Sequence, residues 1–184
     1  MFPETGYSLS GEFLNYWRAN GALPIFGYPI AAEQQVNGQA SQWFERARFE
    51  LHPQNAAHYT VLLGRLGVEA LERRNLNWQA SPKASPDAPH YFNETGHAIA
   101  PQFWPYWQSH GLEFDKQRSI STTESLALLG YPISEPQMEL TASGAMVLTQ
   151  WFERARLEYH PANAAPYTVL LGRLGTEQLA ASGQ

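Results

Sequence analysis

The chain has 184 residues, 43% of them apolar and 13% aromatic, which excludes disorder and suits one domain or two small ones. A formal net charge of −5 argues against nucleic acid as a partner, since that role needs a basic footprint to release counterions. The absence of cysteine removes disulfides, thiol catalysis and Cys-ligated metals, and no apolar run approaches the roughly 18–20 residues of a membrane span. The first residues, Met1-Phe2-Pro3-Glu4-Thr5-Gly6, lack the basic and apolar regions of a signal peptide, so an exported chain would begin here after its signal.

In chain order, Phe2, Glu4, Thr5 and Gly6 return 90 positions later as Phe92, Glu94, Thr95 and Gly96. Ser10 reads as the N-cap of a helix over 11–20, with Phe13, Tyr16 and Trp17 on one face and Gly21 ending it. Phe103, Tyr106, Trp107 and Gly111 repeat that face, but Pro105 cannot donate a helical hydrogen bond, which predicts a second helix that starts late or bends. Phe26-Gly27-Tyr28-Pro29-Ile30 then pairs with Leu129-Gly130-Tyr131-Pro132-Ile133 at an offset of 103, which places an insertion near 112–128, expected as a polar surface loop. A further lengthening is expected near Thr141–Gly144.

The strongest repeat follows. Gln42-Trp43-Phe44-Glu45-Arg46-Ala47-Arg48 recurs letter for letter at 150–156, and 24 of 30 positions over 42–71 and 150–179 are identical. It reads as a hairpin: Trp43-Phe44 enters, Glu45-Arg46-Ala47 turns, and Arg48 to His52 leaves with period-2 alternation until Pro53. Tyr59–Leu63 reads as a buried strand and 68–74 as a helical turn or two. Three prolines among small polar residues mark 79–91 as an extended, weakly structured linker. The predicted fold class is α+β: two tandem homologous repeats, each a short helix, a β-hairpin and a buried strand. Repeat 1 spans 1–78 and repeat 2 spans 92–184, with the alternative that the two pack as one domain about a pseudo-two-fold axis.

The tetrapeptides Phe26-Gly27-Tyr28-Pro29 and Leu129-Gly130-Tyr131-Pro132 resemble the namesake motif of LGFP repeats, with Tyr in place of Phe. The aromatic hairpin, the Asn55-Ala56-Ala57 and Asn163-Ala164-Ala165 turns and the following strands come in the same order, so the likeness covers 17–67 and 107–175. Two features depart from it. Glu45-Arg46 and Glu153-Arg154 occupy a turn where the family usually has Gly-Gly, and the Phe-x-Glu-Thr-Gly opening lies outside the pattern. The QWFERAR-type core also resembles uncharacterised repeat domains of large secreted bacterial proteins. The resemblance implies an extracellular or cell-surface module that binds cell-wall or other polysaccharide without catalysis.

The matched polar residues are the candidate ligand-binding set: Glu45, Arg46, Arg48, Glu50 and His52, with Glu153, Arg154, Arg156, Glu158 and His160. Beside aromatics, such residues can hydrogen-bond sugar hydroxyls or a partner's backbone; equally, Arg–carboxylate forks can fix a hairpin that lacks glycine. A metal site from Glu50 and His52 lacks a third ligand of the right type common to both copies, so neither metal nor cofactor is expected. A glycoside hydrolase could use Glu45 and Glu50 facing each other across the hairpin. An arginine beside a carboxylate stabilises its ionised form, however, which is the reverse of what a general acid needs. The expectation is therefore a non-enzyme whose partner is a polysaccharide, a cell-envelope component or another protein, with a structural spacer as the competing reading. An exposed aromatic shelf would mark a binding module, and burial of nearly all tryptophans a spacer.

Overall fold

The structure is a computed structural model that describes residues 1–141 and 144–183. It is a mixed α+β protein with two four-stranded antiparallel sheets, a small two-stranded one and, among the described residues, six α-helices. The first sheet contains β1 (Gln34–Val36), β2 (Gln39–Trp43), β3 (Arg48–Leu51) and β4 (Val61–Leu63) in that order. The other contains β7 (Gln137–Leu140), β8 (Met146–Trp151), β9 (Arg156–Tyr159) and β10 (Val169–Leu171), leaving β10 on one edge. Between them, β5 (Tyr91–Phe92) pairs with β6 (His97–Ala98).

The QWFERAR stretch forms the expected hairpin. Trp43 pairs with Arg48, Phe44 N–H donates to the Ala47 carbonyl at 2.8 Å, and Glu45-Arg46 turns between them. Trp151 pairs with Arg156 in the same way. The turn needs no Gly-Gly because its glutamate finds a donor elsewhere. Glu45 Oε2 accepts from Tyr28 N–H at 3.3 Å, and Glu153 Oε2 from Tyr131 N–H at 3.2 Å. A side chain on Gly27 or Gly130 would collide with those carboxylates, and both glycines have positive φ, 77° and 80°, so the Gly-Tyr-Pro corner and the Glu-Arg turn require each other.

Helix α1 (Gly11–Ala19) lies where the aromatic spacing puts it, with Ser10 at its N-cap position but without a side-chain capping bond. It is followed by α2 (Ala22–Phe26) and, after β4, by α3 (Leu66–Arg73). The second aromatic helix, α4 (Trp104–Ser109), starts late, with Pro105 in its first turn, where a missing N–H costs nothing. Three expectations need correction. The insertion near 112–128 is a surface loop only in its first part. Its remainder belongs to α5 (Thr122–Leu129), nucleated by a capping box between Ser121 and Glu124 that the polar composition concealed. Tyr59 lies in a 3-10 turn before β4 and is 44% exposed, so the buried strand begins at Val61. The segment 79–91 is exposed but tied down: Ala84 N–H donates to the Gly96 carbonyl, and Lys83 Nζ lies 3.1 Å from Nε2 of the fully buried His97. The lengthened β7–β8 connection falls partly on residues 142 and 143, outside the described residues; its flanks close through Thr141 N–H to the Ala145 carbonyl.

The core joins residues from both ends of the chain. One cluster contains Phe44, Phe49, Phe103, Trp107, Phe152 and Leu157; a second unites Trp43, Leu66 and Leu71 with Ile133, Trp151 and Leu174. Helices α3 and α6 (Leu174–Ser182) pack against each other there. Their N-termini exchange backbone bonds with the opposite hairpins: Gly67 and Val68 N–H donate to the Glu153 carbonyl, and Thr176 N–H donates to that of Glu45. A methyl on Gly67 would overlap the Phe152 carbonyl, and one on Gly175 that of Phe44.

Candidate functional site

Eight of the ten candidate residues divide into three groups. Glu45 and Glu153 clamp the opposite half of the chain: besides the Gly-Tyr corner, Glu45 Oε1 accepts from Arg173 at 2.6 Å and Glu153 Oε1 from Arg65 at 2.8 Å. Arg46 and Arg154 reach back to the carbonyls of Leu23 and Leu126 at 3.4 and 3.5 Å, satisfying acceptors in α2 and α5. Arg48 and Arg156 are buried forks. Arg48 donates to both oxygens of Glu69 at 2.7–2.8 Å and to Glu50, while its guanidinium covers the Trp43 ring at 4.9 Å. Arg156 does the same with Glu177, Glu158 and Trp151, whose ring also meets Arg74 at 5.5 Å. Burial pulls each guanidinium pKa down, but hydrogen bonds and charge from Glu69 and Glu50, or from Glu177 and Glu158, hold it above its ordinary value. The acids Glu69 and Glu177 were missed as partners, although they occupy matching positions inside the most similar block.

Glu45 and Glu50 do not face each other: Glu50 pairs in register with Ser41, while Glu45 lies in the turn beyond the Trp43–Arg48 pair. A hydrolase built on that pair of acids finds no geometric support. Three other carboxylates, Glu113, Asp115 and Glu124, lie close together in the insertion. Each is committed to backbone donors, Lys116 N–H for Glu113, Gln117 N–H for Asp115, and Phe114 and Ser121 N–H for Glu124. That is turn and cap chemistry rather than a metal centre.

A cleft of about 670 Å³ lies beside the edge strand β10, and both halves of the chain build it. One wall is Leu23, Pro24 and Ile25 of α2 with Arg46; another is Tyr106 and His110 at the end of α4. The floor comes from the second sheet and its flanks: Arg156, Glu158 and His160, with Tyr167, Val169 and Leu171. Thus four of the ten candidates, Arg46, Arg156, Glu158 and His160, come together here. His160 Nε2 lies 3.3 Å from Glu158 Oε2, whereas His52 Nε2 is 3.7 Å from Glu50 Oε2. Tyr106 stacks on His110 with ring centroids 3.8 Å apart, and burial raises its phenol pKa to about 12 against the opposing charge of Arg46. Tyr106, His110 and Tyr167 were not among the expected site residues. Tyr106 read as part of an apolar helix face, and what separates it from core is the edge of a sheet distant in sequence.

No protein-family model, curated protein or solved structure matches the chain. Among the described residues, no helix is long and apolar enough to cross a membrane.

Proposed function

We propose that the chain is a non-catalytic binding module, an internal duplication packed about a pseudo-two-fold axis, which holds a segment of a partner protein in the cleft beside β10. The cleft carries this reading. Its volume of about 670 Å³ falls in the range of ligand sites, roughly 300–1,000 Å³, and its lining combines apolar side chains with a few convergent polar groups. The charged residues common to both halves support a structural role outside the cleft, because most already pair with one another or with backbone. Their commitment also argues against catalysis, which needs an acid or base free to exchange a proton. Extracellular or cell-surface placement belongs to the same proposal and rests on the resemblance of the Gly-Tyr-Pro and QWFERAR motifs.

Polysaccharide is the second reading. It is favoured by the stacked Tyr106–His110 pair and by Tyr167, 63% exposed, which offer ring faces to a sugar. Against a sugar-binding shelf, all six tryptophans are buried or half-buried, which also suits a spacer. The experiment is a parallel retention assay of the protein and Tyr167→Ala on immobilised peptide pools, insoluble cell-wall polysaccharide and soluble oligosaccharide. Peptide capture lost in the variant is the expected result. Tyr167-dependent retention on polysaccharide alone would replace it with the second reading, and retention on nothing would leave the spacer.

A further inference from the structure

The insertion that distinguishes the second half from the first indicates what the open cleft is shaped to take. Its loop crosses to the first sheet, where Glu113 N–H donates to Asn20 Oδ1 at 2.7 Å. The Phe114 ring packs edge-on against Tyr59 and His58, with centroids 5.6 and 5.9 Å away. Asn20 and Tyr59 hold, in the first half, the sequence positions of His110 and Tyr167, which line the cleft of the second. The first half has no corresponding insertion: the chain passes directly from Gly21 into α2. The edge of the first sheet is therefore covered by an aromatic side chain from within, and the edge of the second is left open.

We infer that the cleft beside β10 docks a polypeptide segment carrying an aromatic side chain, presented as Phe114 is presented to the first half. This rests on the binding-module reading and names its partner. Two features of the cleft match such a segment. Leu23, Ile25 and Val169 with Tyr167 supply apolar surface for the ring. His110 supplies the acceptor that Asn20 supplies to Glu113: its Nδ1 lies 2.9 Å from the Tyr106 carbonyl, which only accepts, so the proton is on Nδ1 and Nε2 is left to accept a backbone N–H.

The test uses a labelled peptide with the sequence of residues 111–119, titrated into the intact protein by fluorescence anisotropy. Saturable one-site binding is expected, weakened about tenfold by Phe→Ala in the peptide and about as much by Tyr167→Ala in the protein. Tyr167 is exposed, so its variant keeps the fold, and a thermal melt checks this. Phe114→Ala in the protein should uncover the first sheet edge and raise the calorimetric stoichiometry from one to two. Absence of saturation at about millimolar peptide, binding indifferent to Tyr167→Ala, or unchanged stoichiometry in Phe114→Ala overturns the assignment. If an oligosaccharide binds in a Tyr167-dependent way while the peptide does not, the occupant is wrong and the binding module stands. If neither binds, both are lost.

Discussion

The two sheet edges of this protein, β4 and β10, follow almost the same sequence and meet different surroundings. At β4 the insertion of the second half lays Phe114 over Tyr59 and fixes itself on Asn20; at β10 the corresponding Tyr167 stands 63% exposed over a cleft. Similarity within the strands and hairpins therefore does not make two equal sites. The difference is made by a loop remote in sequence from both edges, which places an aromatic contact on one of two similar surfaces. The open cleft needs both halves, since α2 of the first half walls the edge strand of the second.

The largest effects should come from breaking the cores of the two halves unequally. Trp43→Ala and Trp151→Ala should each destabilise by about 3–5 kcal/mol in chemical denaturation. Trp151 is expected to cost more: its Nε1 donates to Glu139 at 2.6 Å, whereas Trp43 Nε1 is buried without a partner among the described residues. Equal losses would show that this bond adds nothing net. Replacing the forks comes next. Arg156→Ala should cost about 3 kcal/mol by stranding two carboxylates, and Arg48→Ala less, because the Glu158 side chain is 11% exposed and that of Glu50 is 20% exposed.

Smaller, and aimed at the union of the halves, are Gly67→Ala and Gly175→Ala. Each places a methyl against a carbonyl of the opposite hairpin and should cost about 2 kcal/mol within a single unfolding transition. Two separate transitions, with only one moved by each variant, would mean that the halves fold independently and would break the pseudo-two-fold proposal.

The smallest effect concerns a contact present on one side alone. His97, where the first half has Tyr7, is fully buried between Lys83 and Glu135. Burial pushes its pKa down and the Lys83 cation adds to this, outweighing the opposing hydrogen bond to Glu135. The unfolded state therefore binds a proton more readily, so the stabilisation is fully present above the ordinary histidine pKa of about 6.5 and is lost as pH falls below it toward the depressed folded value. His97→Gln should flatten that acid-side slope of stability against pH. An unchanged slope would place its source elsewhere. Limited proteolysis across 79–91 should then accelerate in Lys83→Ala, because that side chain ties the segment to His97 and to the Trp78 carbonyl.

Periodicity and turn chemistry were sufficient for the hairpins, α1 and the late start of α4, because these depend on neighbours a few residues away. Local pattern also left open whether Glu45, Arg46, Arg48 and their counterparts were a ligand site or a scaffold. Their partners Glu69 and Tyr28 are brought close by the fold of the first half, and Arg173 by the packing of the second half on it. The insertion was legible as extra length but not as a helix, since Ser121 and Glu124 make a capping box only where Leu128 and Leu129 find a core to enter. The sequence by itself determined that the same hairpin would be built twice. Which copy stays open was decided by tertiary structure alone, because the packing of Phe114 against Tyr59 is a contact between surfaces that no spacing rule brings together.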